Sequence, residues 1–304
     1  MLSIIQLFPL ILAQIYQMSG IKDYFSLVKI SHTIFSMPFA MIGFFLAVKE
    51  NEGEVNFIIL FLVILSVLFA RNAAMGFNRY VDREFDRKNP RTAIREIPRS
   101  VISPRSALLF VLLNSILFIV TTAFINTLCL ILSPVALLVV LGYSFTKRFT
   151  YLSHIFLGLG LALAPIGAYL AVTGHFDAVP LLFSFCVLFW VAGFDIIYAL
   201  QDIDFDRQEK LKSIPASIGP LNSLILSAFF HVIALLMIIV AGLTGPFDFL
   251  YWIGLVIFSV LILYQHLIVR PNDFSRVNLA FATLNGFASI LFAAFTILDL
   301  YTKQ

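Results

Sequence analysis

The sequence predicts an all-α polytopic membrane protein, and three observations carry that prediction. Apolar residues make up 61% of the 304-residue chain and its mean hydropathy is +0.98, well outside the range of soluble globular domains. Residues 107–146 contain no Asp, Glu, Lys or Arg. As one helix they would be roughly 60 Å long, about twice a bilayer's hydrocarbon core, so they must form two spans. Finally, the charges are gathered: only 12% of the chain is charged, yet about half of "NRYVDREFDRKNPRTAIREIPRS" (78–100) is.

Taken in order, residues 1–20, "MLSIIQLFPLILAQIYQMSG", are apolar but lack the basic residues that precede the apolar run of a signal peptide. They are expected to form an interfacial or loosely held segment. Residues 21–304 then form one transmembrane domain. Apolar runs predict nine helices, near 30–48, 57–77, 107–125, 129–146, 153–173, 179–200, 220–243, 248–268 and 277–298. The break between the third and fourth falls at "INT" (125–127). Cys129 and Cys186 lie within predicted spans without metal-ligand spacing and are expected to be ordinary apolar packing residues.

Charge sets the sidedness. With the N-terminus inside, the loops on the inner face hold Lys22, Lys29, the basic residues from Arg79 to Arg105, Lys147, Arg148, Arg207, Lys210, Lys212, Arg270 and Arg276. Only Lys49 and Lys303 fall outside, and Arg71 lies within a span. That asymmetry is the positive-inside pattern, and it places the charge-rich loops on the cytoplasmic face.

Two acidic motifs stand out on that face. Asn78, Asp82 and Asp86 are spaced by four, so on a helix each advances only about 40° and all three share a face. In "DIIYALQDIDFDR", Asp195, Asp202 and Asp206 stand at offsets that also return to one face, while Asp204 projects elsewhere and is expected to be solvated. The two regions resemble each other: "DREFDR" (82–87) matches "DIDFDR" (202–207), and "IPRSVISP" (97–104) matches "IPASIGP" (214–220). Each follows an inward-running helix, as a parallel internal repeat would. Asp195 lies several residues inside a span, where a carboxylate costs on the order of 3 kcal/mol. Such a group faces a polar cavity and a partner. Hard divalent cations take oxygen ligands, and Mg²⁺ binds through one or two carboxylates plus substrate phosphates. With Arg83, Arg87, Arg91 and Arg95 beside the first motif and Arg207, Lys210 and Lys212 beside the second, the ensemble suits a metal-bound diphosphate. The blander explanation of each motif alone is a helix end laced with solvated ion pairs, but its repetition argues against that.

These residues, Asn78-x-x-x-Asp82-x-x-x-Asp86 followed by Asp195-x-x-Tyr198-Ala199-x-x-Asp202-x-x-x-Asp206, resemble the UbiA-type intramembrane prenyltransferases. The likeness runs from about Lys29 to the last helix. "KISHTIFSMPFA" (29–40) and "YSFTKRFTYLSH" (143–154) look like the 4-hydroxybenzoate polyprenyltransferase branch and its relatives that prenylate a dihydroxynaphthoate for menaquinone. The resemblance implies nine helices around a central cavity open to lipid, and Mg²⁺ bridging both motifs to a polyprenyl diphosphate. Asn78, Asp82, Asp86, Asp202 and Asp206 would hold metal and diphosphate. Asp195 would assist at the metal or near the acceptor phenol, making Asp82, Asp195 and Asp202 the expected catalytic residues. Lys29, Arg91, Arg95, Lys147, Arg148, Tyr198 and Lys212 would contact the substrates. One departure is Lys210, where close relatives often carry a Gly that permits positive φ.

The implied reaction transfers a polyprenyl group to an aromatic hydroxy acid, 4-hydroxybenzoate or 1,4-dihydroxy-6-naphthoate, and releases pyrophosphate. A dry apolar cavity would protect the allylic cation from water. Aromatic residues such as Phe44, Tyr143, Phe145 and Phe149 have ordinary packing as their plainer explanation, and only Tyr198, within a matching motif, rises above it. His32 is a weak acceptor-site candidate, while His154, His175, His231 and His266 show no ligand spacing. The expected setting is a bacterial inner membrane with the active site facing the cytoplasm, and nucleic acid is not an expected partner. The competing class is a divalent-cation transporter, because intramembrane carboxylates often mark ion pathways. Against it, the acidic residues gather at one face. A membrane scaffold would leave the repeated motifs unexplained.

Overall fold

The computed structural model describes residues 20–29, 33, 35–51 and 53–302. The expectations for residues 1–19, His32 and Lys303 lie outside the described residues. Among the described residues, twelve α-helices run in the order α1 (Ile21–Leu27), α2 (Met37–Glu50), α3 (Phe57–Val81), α4 (Arg83–Lys88), α5 (Pro104–Ala123), α6 (Thr127–Thr146), α7 (Ser153–Thr173), α8 (Ala178–Ala199), α9 (Ile203–Gln208), α10 (Ile214–Thr244), α11 (Phe249–Ile268) and α12 (Asn285–Thr302). A π-helical turn, Leu279–Leu284, leads into α12. The predicted rods are α2, α3, α5 to α8, α10, α11 and the π turn with α12. Among the described residues, eight of these are long and apolar enough to cross a membrane; α2, with 14 residues, is shorter. The chain is an integral membrane protein, and its exposed surface suits lipid: Leu109, Leu138, Leu243 and Phe249 are each exposed.

Local chemistry explains where these rods begin. Pro38 sits in the first turn of α2, where its missing N–H costs nothing; the helix therefore starts at Met37 rather than at residue 30. The break expected at "INT" is a cap: the Asn126 side chain accepts from the Cys129 N–H at 2.8 Å. Gly219 (φ 79°, ψ 171°) interrupts α10 just before Pro220, so the long rod starts at Pro220, as expected. Close approach of the rods depends on small residues. A Cβ on Gly43 would stand 2.0 Å from the Pro165 carbonyl oxygen, and one on Gly158 would stand 2.3 Å from that of Leu188.

α8 is the most buried of the spans. One side packs through Trp190 and Phe194 into an aromatic cluster with Phe35, Phe39, Phe258, Phe281 and Phe292. A polar ladder stitches α8, α10, α11 and α12 together: Trp190 Nε1 donates to Asn285 Oδ1 (2.8 Å) and Asn285 Nδ2 donates to Gln265 Oε1 (3.0 Å). Gln265 Nε2 lies 3.3 Å from His231 Nδ1, which lies 2.7 Å from His266 Nε2. The other side of α8 faces a cavity.

Candidate active site

The two acidic motifs are built alike. α3 ends at Val81, Asp82 adopts φ −88°, ψ 4°, and the chain re-enters a short helix, α4, that carries Asp86. α8 ends at Ala199 and a single 3₁₀ turn, Leu200–Asp202, follows it. Asp202 adopts φ −109°, ψ 8° before α9, which carries Asp206. Both aspartates thus occupy the sparsely populated bridge region where many active-site residues lie. The internal repeat read from sequence is therefore a repeat of conformation. Asp204, between the paired positions, is exposed as expected.

Together the motifs frame a cavity of about 590 Å³ walled by α3, α5, α6, α7 and α8. Its lining includes Asn78, Asp82, Asp86, Asp195, Asp202 and Asp206, and with them Arg91, Arg95, Lys147, Arg148 and Tyr198. Apart from Asp195, each motif carboxylate meets its own cation. Asp82 Oδ1 accepts from Arg148 Nη2 (3.3 Å), and its Oδ2 accepts from Asn78 Nδ2 (3.0 Å). Asp86 Oδ1 accepts from Arg95 Nη1 (2.6 Å), and Asp206 Oδ1 from Lys147 Nζ (2.8 Å). Asp202 is held bidentately by Arg91, Nε to Oδ1 at 3.0 Å and Nη2 to Oδ2 at 2.5 Å, with Asn89 Nδ2 also on Oδ1 (3.0 Å). Arg91 Nη1 donates to the Tyr198 hydroxyl (2.7 Å) and the guanidinium lies 5.1 Å from that ring's centre. Arg91 thereby ties the loop after the first motif to the second motif, a planar bidentate contact that lysine would not reproduce. Burial opposes the Arg91 charge, but Asp202 and Tyr198 outweigh it and hold the guanidinium above its ordinary pKa. Burial, then the nearby Asp86, pushes the Asp82 carboxyl above the usual carboxylate range, against the pull of Arg148.

The carboxylates are not a preformed metal cluster. Among the described residues, no three of His, Cys, Asp and Glu stand together as a set of metal ligands. Divalent metal nevertheless suits the donor set. Asp86 Oδ2 and Asp206 Oδ2 are buried without a hydrogen-bond partner, and such orphaned acceptors are costly unless something fills them. Both are hard oxygen donors in the cavity wall, the type Mg²⁺ prefers.

Two expected substrate contacts lie elsewhere. Lys29 does not line the cavity; it takes positive φ (46°) and its carbonyl accepts from Arg71 Nη2 at 3.0 Å. Lys212 donates from Nζ to the Phe149 carbonyl (3.0 Å), outside the cavity wall. The expectation at Lys210 resolves clearly: the loop keeps a glycine-like left-handed conformation, with Lys210 at φ 56°. Conversely, sequence reasoning passed over cavity residues. Arg79 is buried in the lining with an unpartnered Nε, and Asn89 and Thr92 hold Asp202 and the Asp86 carbonyl. His154 provides the partner expected for Asp195: Nδ1 lies 2.6 Å from Asp195 Oδ2. Its signal was its place in "YSFTKRFTYLSH", just beyond two basic residues that face the same cavity.

Residues 36–293 match the model of the UbiA prenyltransferase family. The 4-hydroxybenzoate octaprenyltransferase of Photobacterium profundum is 30% identical over 247 residues, covering 81% of this chain and 85% of that protein. The Pasteurella multocida protein of the same name is 31% identical over 255 residues, covering 83% of this chain and 85% of its own. Among solved structures, the apo UbiA homologue from Aeropyrum pernix superposes with a TM-score of 0.80 at 32% identity, covering 88% of this chain and 98% of that one. A UbiA homologue from Archaeoglobus fulgidus bound to GPP and Mg²⁺ shares the fold, with a TM-score of 0.69 at 22% identity and coverage of 91% and 99%.

Proposed function

The chain belongs to the UbiA prenyltransferase family, and from that membership we propose that it transfers a polyprenyl group from a polyprenyl diphosphate to 4-hydroxybenzoate. Pyrophosphate is the second product. The observation that carries the reading is the cavity itself: two repeated acid–base sets at one end of a pocket whose remaining wall is largely apolar, with buried carboxylate oxygens at Asp86 and Asp206 left open.

Asn78, Asp82, Asp86, Asp202 and Asp206 are the residues we assign to Mg²⁺. When bound, the ion supplies Lewis-acid neutralisation of the diphosphate. Arg91, Arg95, Lys147 and Arg148, now engaged with carboxylates, are the groups that take phosphate oxygens as that charge enters. They then stabilise the charge that develops on the leaving group. Below them the apolar wall, with Val67, Ala70, Val140, Leu157 and Leu161, excludes water from the allylic carbon and holds the first isoprene units. Tyr198 presents a ring and hydroxyl fixed by Arg91 beside the reacting end. We place residues 21–304 as one catalytic unit in a bacterial inner membrane, with its charged end towards the cytoplasm, on the strength of the basic-residue asymmetry.

The test uses purified protein with Mg²⁺, a polyprenyl diphosphate and 4-hydroxybenzoate, with 1,4-dihydroxy-6-naphthoate as competing acceptor, and measures lipid-soluble product. Asp82→Asn and Asp202→Asn are expected to lower turnover by about 100-fold or more while melting near the wild type. Turnover near wild type in both would refute the assignment. Preference for the naphthoate would move the acceptor to the menaquinone branch, and cation uptake by liposomes without prenylated product would favour a transporter.

A further inference from the structure

We infer that His154 and Asp195 form a proton-accepting dyad that removes the ring proton of the aromatic acceptor. The inference rests on the prenyl-transfer reading above and adds a residue to it. His154 stands at the start of α7 and is buried; Asp195 stands on α8 and is half-buried, and both line the cavity. Nδ1 of the imidazole is 2.6 Å from Asp195 Oδ2, while Nε2 is buried and has no hydrogen-bond partner. An ionised carboxylate only accepts hydrogen bonds, so Asp195 fixes the proton on Nδ1 and leaves the Nε2 lone pair free. A buried lone pair held in this way is ready to accept a proton.

Position decides which donor. Asp195 precedes Asp202 by seven residues, about 10 Å along a helix. A diphosphate held at the acid–base end would leave its first prenyl carbon, and the ring that attacks it, at about that depth. The other cavity bases are committed: Asp82, Asp86, Asp202 and Asp206 each carry a cation, and the lysine and arginines hold protons rather than accept them. Among the described residues lining the cavity, His154 is the one imidazole.

The ring carbon ortho to the hydroxyl attacks the first prenyl carbon, forming the C–C bond as the C–O bond breaks and pyrophosphate leaves with the electron pair. That ring carbon then carries both the prenyl group and its hydrogen. His154 Nε2 takes the hydrogen as a proton, and the C–H electrons restore the aromatic ring. The imidazolium stays hydrogen-bonded to the Asp195 carboxylate, which stabilises its charge, and passes the proton to solvent when product leaves.

The decisive comparison uses 4-hydroxybenzoate carrying deuterium or protium at both positions ortho to the hydroxyl, with geranyl diphosphate and Mg²⁺. In the wild type the proton leaves quickly after C–C bond formation, so kcat is expected to be insensitive to deuterium. His154→Gln is expected to lower kcat by about 100-fold or more with little change in KM for geranyl diphosphate, and a primary isotope effect should emerge. Asp195→Asn, which keeps the shape but loses the charge that sets the tautomer, should shift the isotope effect in the same direction. Melting temperature and the KM for geranyl diphosphate separate loss of fold from loss of the base. A His154→Gln protein that turns over like the wild type overturns the dyad, as does one that slows without an isotope effect. Absence of prenylated product from the wild type itself would overturn the prenyl-transfer reading, and the dyad with it.

Discussion

Lys147→Met tests whether the acidic end of the cavity is held by paired buried charges. The Asp206 side chain is 1% exposed and one of its oxygens has no partner; the other rests on Lys147 Nζ at 2.8 Å, and the Lys147 side chain is 33% exposed. The two partners therefore differ in what their loss leaves behind. Removing the lysine leaves a wholly buried carboxylate without its cation, a change that costs about 3–5 kcal/mol. Removing the charge by Asp206→Asn leaves an ammonium that can turn towards water, so the loss is closer to one hydrogen bond, about 1–2 kcal/mol. For a chain of this size each kcal/mol corresponds to about 2 °C of melting temperature, so Lys147→Met should melt roughly 8 °C lower and Asp206→Asn no more than about 4 °C lower. Thermal melting of the detergent-solubilised variants measures both, and the Lys147→Met/Asp206→Asn double variant should recover most of the difference. Equal losses in the two single variants, or no recovery in the double, would show that the pair is not held as buried ions.

Two further outcomes follow from backbone and packing. Lys210 holds φ 56°, a conformation that costs a side-chain-bearing residue about 1–2 kcal/mol, so Lys210→Gly should raise the melting temperature despite glycine's freer unfolded chain. A lowered melting temperature would mean that the lysine side chain compensates for its backbone. Gly158→Ala places a Cβ 2.3 Å from the Leu188 carbonyl oxygen. Because backbone on the facing helix must move, the variant should lose about 2 kcal/mol or more, and a melting temperature within error of wild type would refute the close α7–α8 contact.

Much of this architecture was legible because the physics acts locally. An apolar run must span or be buried, so most of the rods were readable to within a few residues, and the Asn126 cap and the first-turn Pro38 account for two of the boundaries. The acidic motifs were legible as faces because their spacing is helical. What periodicity could not convey is that the first helix breaks at Asp82 alone and the second over the 3₁₀ turn Leu200–Asp202: the spacing of the apolar and acidic residues continues through such short breaks without changing the pattern. Pairing was the least legible layer. Arg91 reaches Asp202 across 111 residues of sequence, and His154 reaches Asp195 across 41. Such partners are set by how α7, α8 and the loop after α4 pack together, and no local spacing encodes that. Lys29 and Lys212 show the converse, since a basic residue beside a motif can turn its side chain or backbone to a neighbouring group instead.

The pairing also bears on how one site handles an anionic substrate in an apolar setting. Four carboxylates around a low-dielectric cavity would repel one another and favour protonation; Arg148, Arg95, Arg91 and Lys147 neutralise them one for one. The resting site is therefore close to neutral, and its strong local charges are ordered before substrate arrives. A diphosphate entering such a site competes for cations already aimed into the cavity, so little reorganisation is needed to receive its charge. As those cations shift, carboxylate oxygens become free for a hard cation. On this account the acid and base sets are two halves of one exchange, which explains why the sequence repeats them together. It also separates the roles along the cavity. In the proposed reaction the motif carboxylates would serve the leaving group at one end, and the His154–Asp195 pair, whose partners are each other rather than those cations, stands about two helical turns deeper, where the acceptor ring would lose its proton.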